Sequence, residues 1–291
     1  MADVSFIGLG AMGFALADTA AKSGREIVVW NRTSDKAIPL TDGKVIVAST
    51  PAEAISASPM TVVCVSDYAT TESLLGTPEC FAALKNKILI QLSSGSPALS
   101  RKAYDWAKRA GAYYLDGEIV AYVNNIGCDE FPLLLAGDKS AFDAAEPLLK
   151  EYTPRTRYLG SDPAKSSVLS LAALSGSIGL TIGIMNGAAL CEAAGISFQE
   201  LTKDIPTNVA YDGEALMESL SKLDNGGLES SDAPISIWTE IAGLMIEFQE
   251  ETGYSTDLSK FFLQFYGKAA ALGLGSNDVG SLIEILRPNK T

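Results

Sequence analysis

Histidine is absent from this 291-residue sequence. Its absence excludes a Ser–His–Asp triad, a Cys–His pair and any imidazole metal ligand. Any general acid–base chemistry must therefore use carboxylates, lysine, tyrosine or water. The four cysteines form no C-x-x-C pair, and their wide, irregular spacing predicts free thiols and no metal site. Free thiols are typical of a reducing compartment, so we expect a cytoplasmic protein.

Positive charge is scarce, because 22 Lys and Arg residues face 35 Asp and Glu residues, giving a formal net charge of −13. A surface this acidic repels phosphate backbones and anionic lipids. We therefore expect neither nucleic acid nor a membrane as a partner. The chain begins Met1-Ala2-Asp3 and enters a short apolar run without a basic flank, which predicts no signal peptide.

Charged residues are also missing from the whole segment 166–191. Length and polarity alone make this segment a candidate membrane span. Its many serines, with Thr181 and Asn186, favour instead one long helix buried among other helices. Four glycines lie in it at helical spacings of three and four: Gly176, Gly179, Gly183 and Gly187. Each glycine costs a helix roughly 1 kcal/mol relative to alanine, so the stripe predicts close packing against another backbone, for which a partner subunit is a natural source.

Apolar runs and helical patterns alternate through the first half of the chain. The runs predict strands over 4–7, 26–30, 45–48, 61–65, 88–92, 113–115 and 133–135. Helices are predicted up to residue 22 and over 35–40, 51–57, 70–75, 97–110 and 141–150. This alternation predicts a parallel sheet covered by helices on both faces. After residue 160 only helices are expected.

A glycine motif lies between the first strand and the first helix, as Gly8-Leu9-Gly10-Ala11-Met12-Gly13. In a dinucleotide fingerprint the first glycine permits the tight turn, the second lets the pyrophosphate approach the backbone, and the third allows close helix–strand packing. The helix N-terminus supplies N–H groups and partial positive charge. The motif has its required context and predicts nucleotide binding.

The end of the second strand predicts which nucleotide is bound. An NAD site would carry Asp or Glu there for the ribose 2′-OH. This chain carries Asn31-Arg32-Thr33, with Lys36 one turn later. A guanidinium can bind a 2′-phosphate bidentately. The pattern favours NADPH, and the alternative is that Arg32 is a solvated surface charge. The ends of later strands complete the predicted cofactor-binding set with Val65, Ser66, Ser93 and Ser94.

Several segments together resemble the NADPH-dependent imine reductases and reductive aminases, a branch of the 6-phosphogluconate and β-hydroxyacid dehydrogenase superfamily. They are 8–13, 30–33, 91–97, 116–117 and 278–288. The resemblance implies an α/β fold with an N-terminal Rossmann domain (1–162), a long interdomain helix (163–193) and an all-helical dimerisation and substrate domain (194–291). It also implies an intertwined homodimer, with each active site between the Rossmann domain of one chain and the helical domain of the other.

The resemblance implies hydride transfer from the nicotinamide to a C=N bond, with a small imine, ketone or amine as the partner. Imine reductases commonly carry an Asp or a Tyr on the interdomain helix. The matching positions are here Ser170 and Ile178, and the Lys of the dehydrogenases is missing. The family's Asn after the fifth strand is replaced by Ser94. Ser170 is kept as a candidate catalytic and pocket residue, and Ser94 and Ile178 as pocket candidates.

The segment 117–127, which lines the pocket in the family, is unusually polar here. Tyr122 is a candidate proton donor or substrate anchor, or alternatively a buried packing residue. Asn124 and Asn125 are pocket candidates. Glu118 is either a stabiliser of an iminium ion or a solvated loop charge. Later in the chain, Trp238 is a pocket candidate or a core residue, and Asn208 and Tyr211 are weaker pocket candidates.

Three functions remain open from the sequence. The first is an NADPH-dependent imine reductase with an atypical site. The second is a reductase of the same fold that acts on an activated carbonyl or C=C bond, as the replacement of an acid by Ser170 suggests. The third is a catalytically silent NADPH-binding protein.

Overall fold

An eight-stranded sheet organises the first part of the chain, in the strand order β3-β2-β1-β4-β5-β6-β7-β8. The computed structural model describes residues 1–40, 44–128 and 130–288. The strands are β1 (Val4–Ile7), β2 (Ile27–Trp30), β3 (Val45–Val47), β4 (Met60–Val63), β5 (Ile88–Gln91), β6 (Tyr113–Ile119), β7 (Leu133–Gly137) and β8 (Thr156–Tyr158).

Neighbouring strands are parallel with one exception, the antiparallel pair β6–β7, in which Ile119 lies opposite Leu133. The prediction of a parallel sheet is therefore confirmed for the other strand pairs and wrong for this one. A parallel connection needs a crossover, usually a helix. The link between β6 and β7 contains only a 3₁₀ turn at Val123–Asn125 among its described residues, so β7 returns beside β6 in the opposite direction.

Helices cover both faces of the sheet. They are α1 (Ala11–Lys22), α2 (Pro51–Ser56), α3 (Tyr68–Leu75), α4 (Pro78–Leu84), α5 (Pro97–Arg109) and α6 (Lys139–Tyr152). Successive strand residues point to opposite faces: Val62 packs into the core under α1 and α6, and Val63 into the core under α2 to α5. The predicted α/β organisation is confirmed.

Local patterns missed two short elements, α4 and β8, and stopped β6 at residue 115 instead of Ile119. The segment expected as a helix over 35–40 is a 3₁₀ turn at Ser34–Ala37. A strand of three residues is too short to show a period, and the extension of β6 depends on pairing with β7.

Only helices and short helical turns follow residue 160 in the described part of the chain, as predicted. They are α7 (Ala164–Ala193), α8 (Phe198–Asn225), α9 (Ile235–Thr252), α10 (Asp257–Ala269) and α11 (Ile283–Leu286). The chain divides into two compact units, the first comprising residues 1–176 and the second beginning at Ser177.

Helix α7 differs from its prediction as a buried helix. Only 6% of its most apolar 18-residue window is buried, and Ile178 and Met185 are each 60% exposed. By length and mean hydropathy, α7 is the one helix of the described residues that is capable of crossing a membrane. A Cβ on Gly179 or Gly183 would contact no other part of the described chain within 4 Å. The described residues of one chain therefore leave this face uncovered.

Candidate cofactor and active site

The glycine turn after β1 has the geometry of a phosphate-binding loop. Gly8 has φ +96°, and a Cβ there would lie 2.3 Å from the carbonyl oxygen of Cys64. A Cβ on Gly13 would lie 2.2 Å from the carbonyl oxygen of Gly8, so α1 packs tightly on the loop. A Cβ on Gly10 would have no atom of the residues described in the structure within 4 Å. Two glycines are thus required by protein packing, whereas Gly10 leaves open the side that a pyrophosphate would approach.

The N-terminus of α1 is free to bind an anion. Its N-cap is Gly10, which offers no side-chain acceptor, and the first turn contains no acidic residue. The first N–H groups of a helix have no partner within it, and they carry partial positive charge. Together with the open side of Gly10, this end of α1 fits a dinucleotide pyrophosphate.

Asn31 joins the glycine loop to the end of β2. Its Oδ1 accepts a hydrogen bond from Leu9 N at 2.9 Å, and its Nδ2 donates to the carbonyl of Thr33 at 2.8 Å. Both polar atoms of the amide are thus used to orient the segment that presents Arg32. The side chain of Leu9 is buried in the core, so Leu9 would serve a cofactor only through its backbone.

A cavity of about 490 Å³ brings most of the predicted cofactor residues together. Eleven of the fourteen line it: Gly8, Gly10, Ala11, Met12, Gly13, Asn31, Arg32, Thr33, Lys36, Val65 and Ser66. Arg32 and Lys36 are exposed, and within residues 1–40, 44–128 and 130–288 neither side chain forms a hydrogen bond or an ion pair. Two uncompensated cations at one end of the cavity suit a phosphate dianion.

The remaining predicted cofactor residues, Leu9, Ser93 and Ser94, do not line this cavity. Ser93 is buried, and its Oγ accepts a hydrogen bond from Val65 N at 3.0 Å, which ties the loop after β5 to the loop after β4. Ser94 is exposed beside it. The cavity also has four lining residues that the sequence reasoning missed: Trp30, Cys64, Thr70 and Leu74. Trp30 and Cys64 lie at strand ends, and Thr70 and Leu74 are spaced i, i+4 on α3, which are signals that the sequence contains.

A buried acidic cluster lies on β6, which neighbours β5 in the sheet. The Asp116 carboxylate is fully buried and accepts hydrogen bonds from four hydroxyls. The donor–acceptor distances are 2.7 Å to Tyr68, 2.8 Å to Tyr114, 3.0 Å to Ser166 and 3.1 Å to Ser100. Among residues 1–40, 44–128 and 130–288, no Lys or Arg pairs with Asp116.

Glu118 lies two residues further along β6, on the same face of the strand, and is 8% exposed. Its carboxylate accepts hydrogen bonds from Gly95 N and from the hydroxyls of Ser167 and Ser170, with a Ser167 Oγ–Glu118 Oε1 distance of 3.5 Å. The alternative of a solvated loop charge is therefore wrong for Glu118.

Burial perturbs both carboxyl groups. Desolvation raises the pKa of Asp116, against the opposing effect of its four hydroxyl donors. Desolvation and then the charge of Asp116 raise the pKa of Glu118 to about 7, although Ser167, Gly95 and Ser170 oppose the shift. Burial, reinforced by the negative charge of Asp116, also raises the pKa of Tyr68 and of Tyr114, so both phenols remain donors. The Glu118 carboxyl group therefore titrates near neutral pH.

The predicted catalytic residues have different surroundings. Ser170 is 5% exposed and contacts Glu118, so it belongs to the acidic cluster. Tyr122 is 83% exposed, which contradicts the alternative of a buried packing residue. Asn124 is exposed on the 3₁₀ turn. The Asn125 Oδ1 accepts a hydrogen bond from Tyr122 N at 2.9 Å, so this amide shapes the turn.

The second unit contains its own cavity, of about 760 Å³. Trp238 and Tyr211 line it, and the indole of Trp238 stacks on Tyr266 with ring centroids 6.4 Å apart. Within the residues that the structure describes, the Trp238 Nε1–H has no hydrogen-bond acceptor. Asn208 and Ile178 are exposed on α8 and α7 and do not line this cavity.

All four cysteines are free thiols, as predicted. Across residues 1–40, 44–128 and 130–288, no group of three or more Cys, Asp or Glu side chains is arranged to hold a metal ion.

Sequence comparison matches the two parts of the chain to two family descriptions. The "NAD binding domain of 6-phosphogluconate dehydrogenase" matches residues 3–160, and the "NADPH-dependent reductive aminase-like, C-terminal domain" matches residues 162–288. An NADPH-dependent reductive aminase from Aspergillus oryzae is 29% identical over 99% of this chain and 98% of its own length.

Solved structures agree with the sequence matches. The imine reductase from Myxococcus stipitatus in complex with NADP⁺ superposes with a TM-score of 0.91 at 30% identity, over 98% of this chain and all of that chain. The reductive aminase from Aspergillus terreus in complex with NADPH and ethyl-5-oxohexanoate gives 0.90 at 28% identity, over 99% and 100%. With both parts of the chain matched and the nucleotide cavity formed, the fold, the recognised family and the type of enzyme predicted from the sequence are confirmed. The chain belongs to the family of the NADPH-dependent imine reductases and reductive aminases.

Proposed function

We propose that this protein reduces the C=N bond of an imine or iminium ion to an amine, using NADPH as the hydride donor. The observation that carries the proposal is the match of both parts of the chain to reductive aminase and imine reductase relatives, together with the cavity that holds Arg32, Thr33 and Lys36. The substrates would be small imines, or a ketone together with an amine.

The cavity residues assign parts of the coenzyme to parts of the chain. The N–H groups at the start of α1 would bind the pyrophosphate, beside the open face of Gly10. Arg32, Thr33 and Lys36 would bind the 2′-phosphate. The loops after β4 and β5, tied together by Ser93, would lie beside the nicotinamide, because ligands of such sheets bind at the carboxyl ends of the strands.

The bound coenzyme supplies the hydride, and the chain supplies charge and position. An iminium ion carries a positive charge that a buried anion stabilises strongly in a site from which water is excluded. Asp116 and Glu118 provide carboxyl groups at the strand ends without a competing cation in the described part of the chain. This arrangement favours a C=N substrate over a neutral carbonyl, which instead develops negative charge on oxygen.

We also propose that two chains form a homodimer in the cytoplasm, with α7 between them. The support is the exposed apolar face of α7 and its glycine stripe, which leaves room for a second backbone. Helix α7 is also long and apolar enough to span a membrane. A dimer that forms in detergent-free buffer would support the dimer interface over the membrane span. The division into 1–162, 163–193 and 194–291 is part of this proposal.

The experiment that tests the function is NADPH oxidation with a panel of cyclic imines, preformed iminium ions and ketone–amine pairs, with product analysis. Amine formation supports the proposal. Alcohol or saturated products without amine would favour the carbonyl or C=C alternatives, and tight NADPH binding without turnover would favour a silent binding protein.

The coenzyme assignment has its own test in Arg32→Ala. We expect NADPH to bind at least about 10-fold more weakly, because a hydrogen-bonded charge pair contributes about 1.5–3 kcal/mol, whereas NADH affinity changes little. Calorimetry measures both affinities, and Arg109→Ala, a change at an exposed site at the end of α5, is the matched control. Equal affinity of the unaltered protein for NADPH and NADH would contradict the assignment.

A further inference from the structure

Two carboxyl groups share the acidic cluster, and no cation of the described residues pairs with either of them. Asp116 and Glu118 are spaced i, i+2 on β6, with 0% and 8% exposure. The titratable groups that face them are the phenols of Tyr68 on α3 and Tyr114 on β6. The other neighbours are the hydroxyls of α5 and α7 and the backbone of Gly95. Two like charges this deeply buried are unfavourable, so the cluster is suited to hold one proton.

A chain of two serines connects the carboxyl groups. Ser100 Oγ lies 3.1 Å from Asp116 Oδ1 and 2.7 Å from Ser167 Oγ, and Ser167 Oγ lies 3.5 Å from Glu118 Oε1. Each hydroxyl has one proton to donate. The directions of donation along this chain are therefore set by whether Glu118 carries a proton.

Both protonation states of Glu118 can be satisfied by reversing the chain. When Glu118 is protonated, it donates to Ser167, Ser167 donates to Ser100, and Ser100 donates to Asp116. When Glu118 is ionised, Ser100 donates to Ser167 and Ser167 donates to Glu118. Asp116 still keeps its bonds from Tyr68, Tyr114 and Ser166. Neither state leaves a buried hydroxyl or carboxylate without a partner.

The two carboxyl groups therefore have unequal roles. Asp116 accepts four hydroxyl donors, which favour its ionised form, and it lies below the surface. Glu118 has fewer strong donors and lies nearer the carboxyl end of β6, next to the loop that contains Ser94 and Gly95. Of these two carboxyl groups, Glu118 is the one placed to exchange a proton with a molecule at the strand ends.

We propose that Glu118 is the catalytic acid of this protein, with Asp116, Ser100 and Ser167 as positioning residues. This inference rests on the proposed function. The Glu118 O–H bond breaks and its proton goes to the substrate nitrogen, which gives an iminium ion and a Glu118 carboxylate. The iminium carbon then accepts the hydride and its electron pair from the coenzyme, and the C=N π electrons become the amine lone pair. Glu118 regains a proton from solvent.

The test compares a neutral cyclic imine, 3,4-dihydroisoquinoline, with its N-methyl iminium ion, which needs no proton. For Glu118→Gln we expect kcat on the neutral imine to fall about 100-fold or more, the usual contribution of a general acid. The N-methyl iminium ion should lose less than 10-fold. For the unaltered protein, turnover of the neutral imine should fall above pH 7, and this limb should be absent for the iminium ion.

Two further variants sharpen the result. Glu118→Asp keeps an acid and should recover part of the rate on the neutral imine. Glu79→Gln, which removes an exposed carboxylate on α4, should leave both substrates unaffected. If Glu118→Gln binds NADPH normally yet keeps neutral-imine turnover within 3-fold with an unchanged pH profile, Glu118 is not the acid.

A spectroscopic measurement tests the acid without activity. Infrared titration of the coenzyme-free protein should show a carboxylic acid C=O band that disappears with a midpoint near pH 7 and is missing in Glu118→Gln. Absence of that band in the unaltered protein overturns the proposal even if the variant fails to fold. If the unaltered protein reduces neither substrate, the proposed function is wrong. That result does not depend on any variant.

Discussion

The two ends of α7 invert the usual distribution of polar and apolar residues. In its first two turns, Ser166, Ser167 and Ser170 are buried. Further along, Leu180 and Met185 are largely exposed. Buried hydroxyls are stable only when they are hydrogen-bonded, and those of the first turns are bonded within the cluster around Asp116 and Glu118. Nothing in the described part of one chain covers the exposed apolar end, which in the proposed homodimer would instead contact a second chain.

The largest expected effect concerns the exposed end of α7. The double substitution Ile178→Asp and Met185→Asp should weaken the proposed homodimer at least about 1,000-fold. Burying each apolar side chain contributes about 1.5–3 kcal/mol, and each substitution occurs twice in a symmetric dimer. Analytical ultracentrifugation in detergent-free buffer measures the change. Ile46→Asp, at an exposed apolar position on β3, is the matched control. If the unaltered protein is monomeric in this buffer, the proposed homodimer is wrong.

The next effect concerns Glu118, whose folded pKa of about 7 exceeds its usual value of 4.5. The folded state binds this proton more tightly, so this stabilisation is present below pH 4.5 and is lost as pH rises to 7. The free energy of unfolding should fall by about 3 kcal/mol across that range. Urea unfolding at several pH values measures the slope, and Glu118→Gln should flatten it. The same slope in both proteins would show that Glu118 titrates normally.

The smallest expected effect is a difference in stability between variants at a buried and at an exposed serine of α7. Ser166→Ala removes a donor to a buried carboxylate and should cost about 2 kcal/mol of stability. Ser175→Ala lies on the exposed part and should be nearly neutral. Thermal unfolding of both variants gives the difference, and equal shifts would mean that the cluster does not depend on its hydroxyl donors.

The parts of the molecule that could be predicted are those determined by residues close together in the sequence. The glycine loop, the residues at the end of β2 and the alternation of strands and helices all follow from short-range patterns, and the structure brings eleven predicted cofactor residues to one cavity. The acidic cluster was not predictable in this way. Glu118 looked like a loop charge because β6 reaches Ile119 only through pairing with β7.

The sequence by itself determined the glycine turn, the cations that follow β2 and the uncharged segment 166–191, because each depends on side chains within a few residues of one another. Tertiary structure alone decided which hydroxyls meet which carboxyl groups. Ser166 and Ser167 are separated from their carboxylate partners by about 50 residues along the chain. Burial raises the pKa of Glu118 only when α5, α7 and β6 pack together and exclude water, and no local pattern specifies that packing.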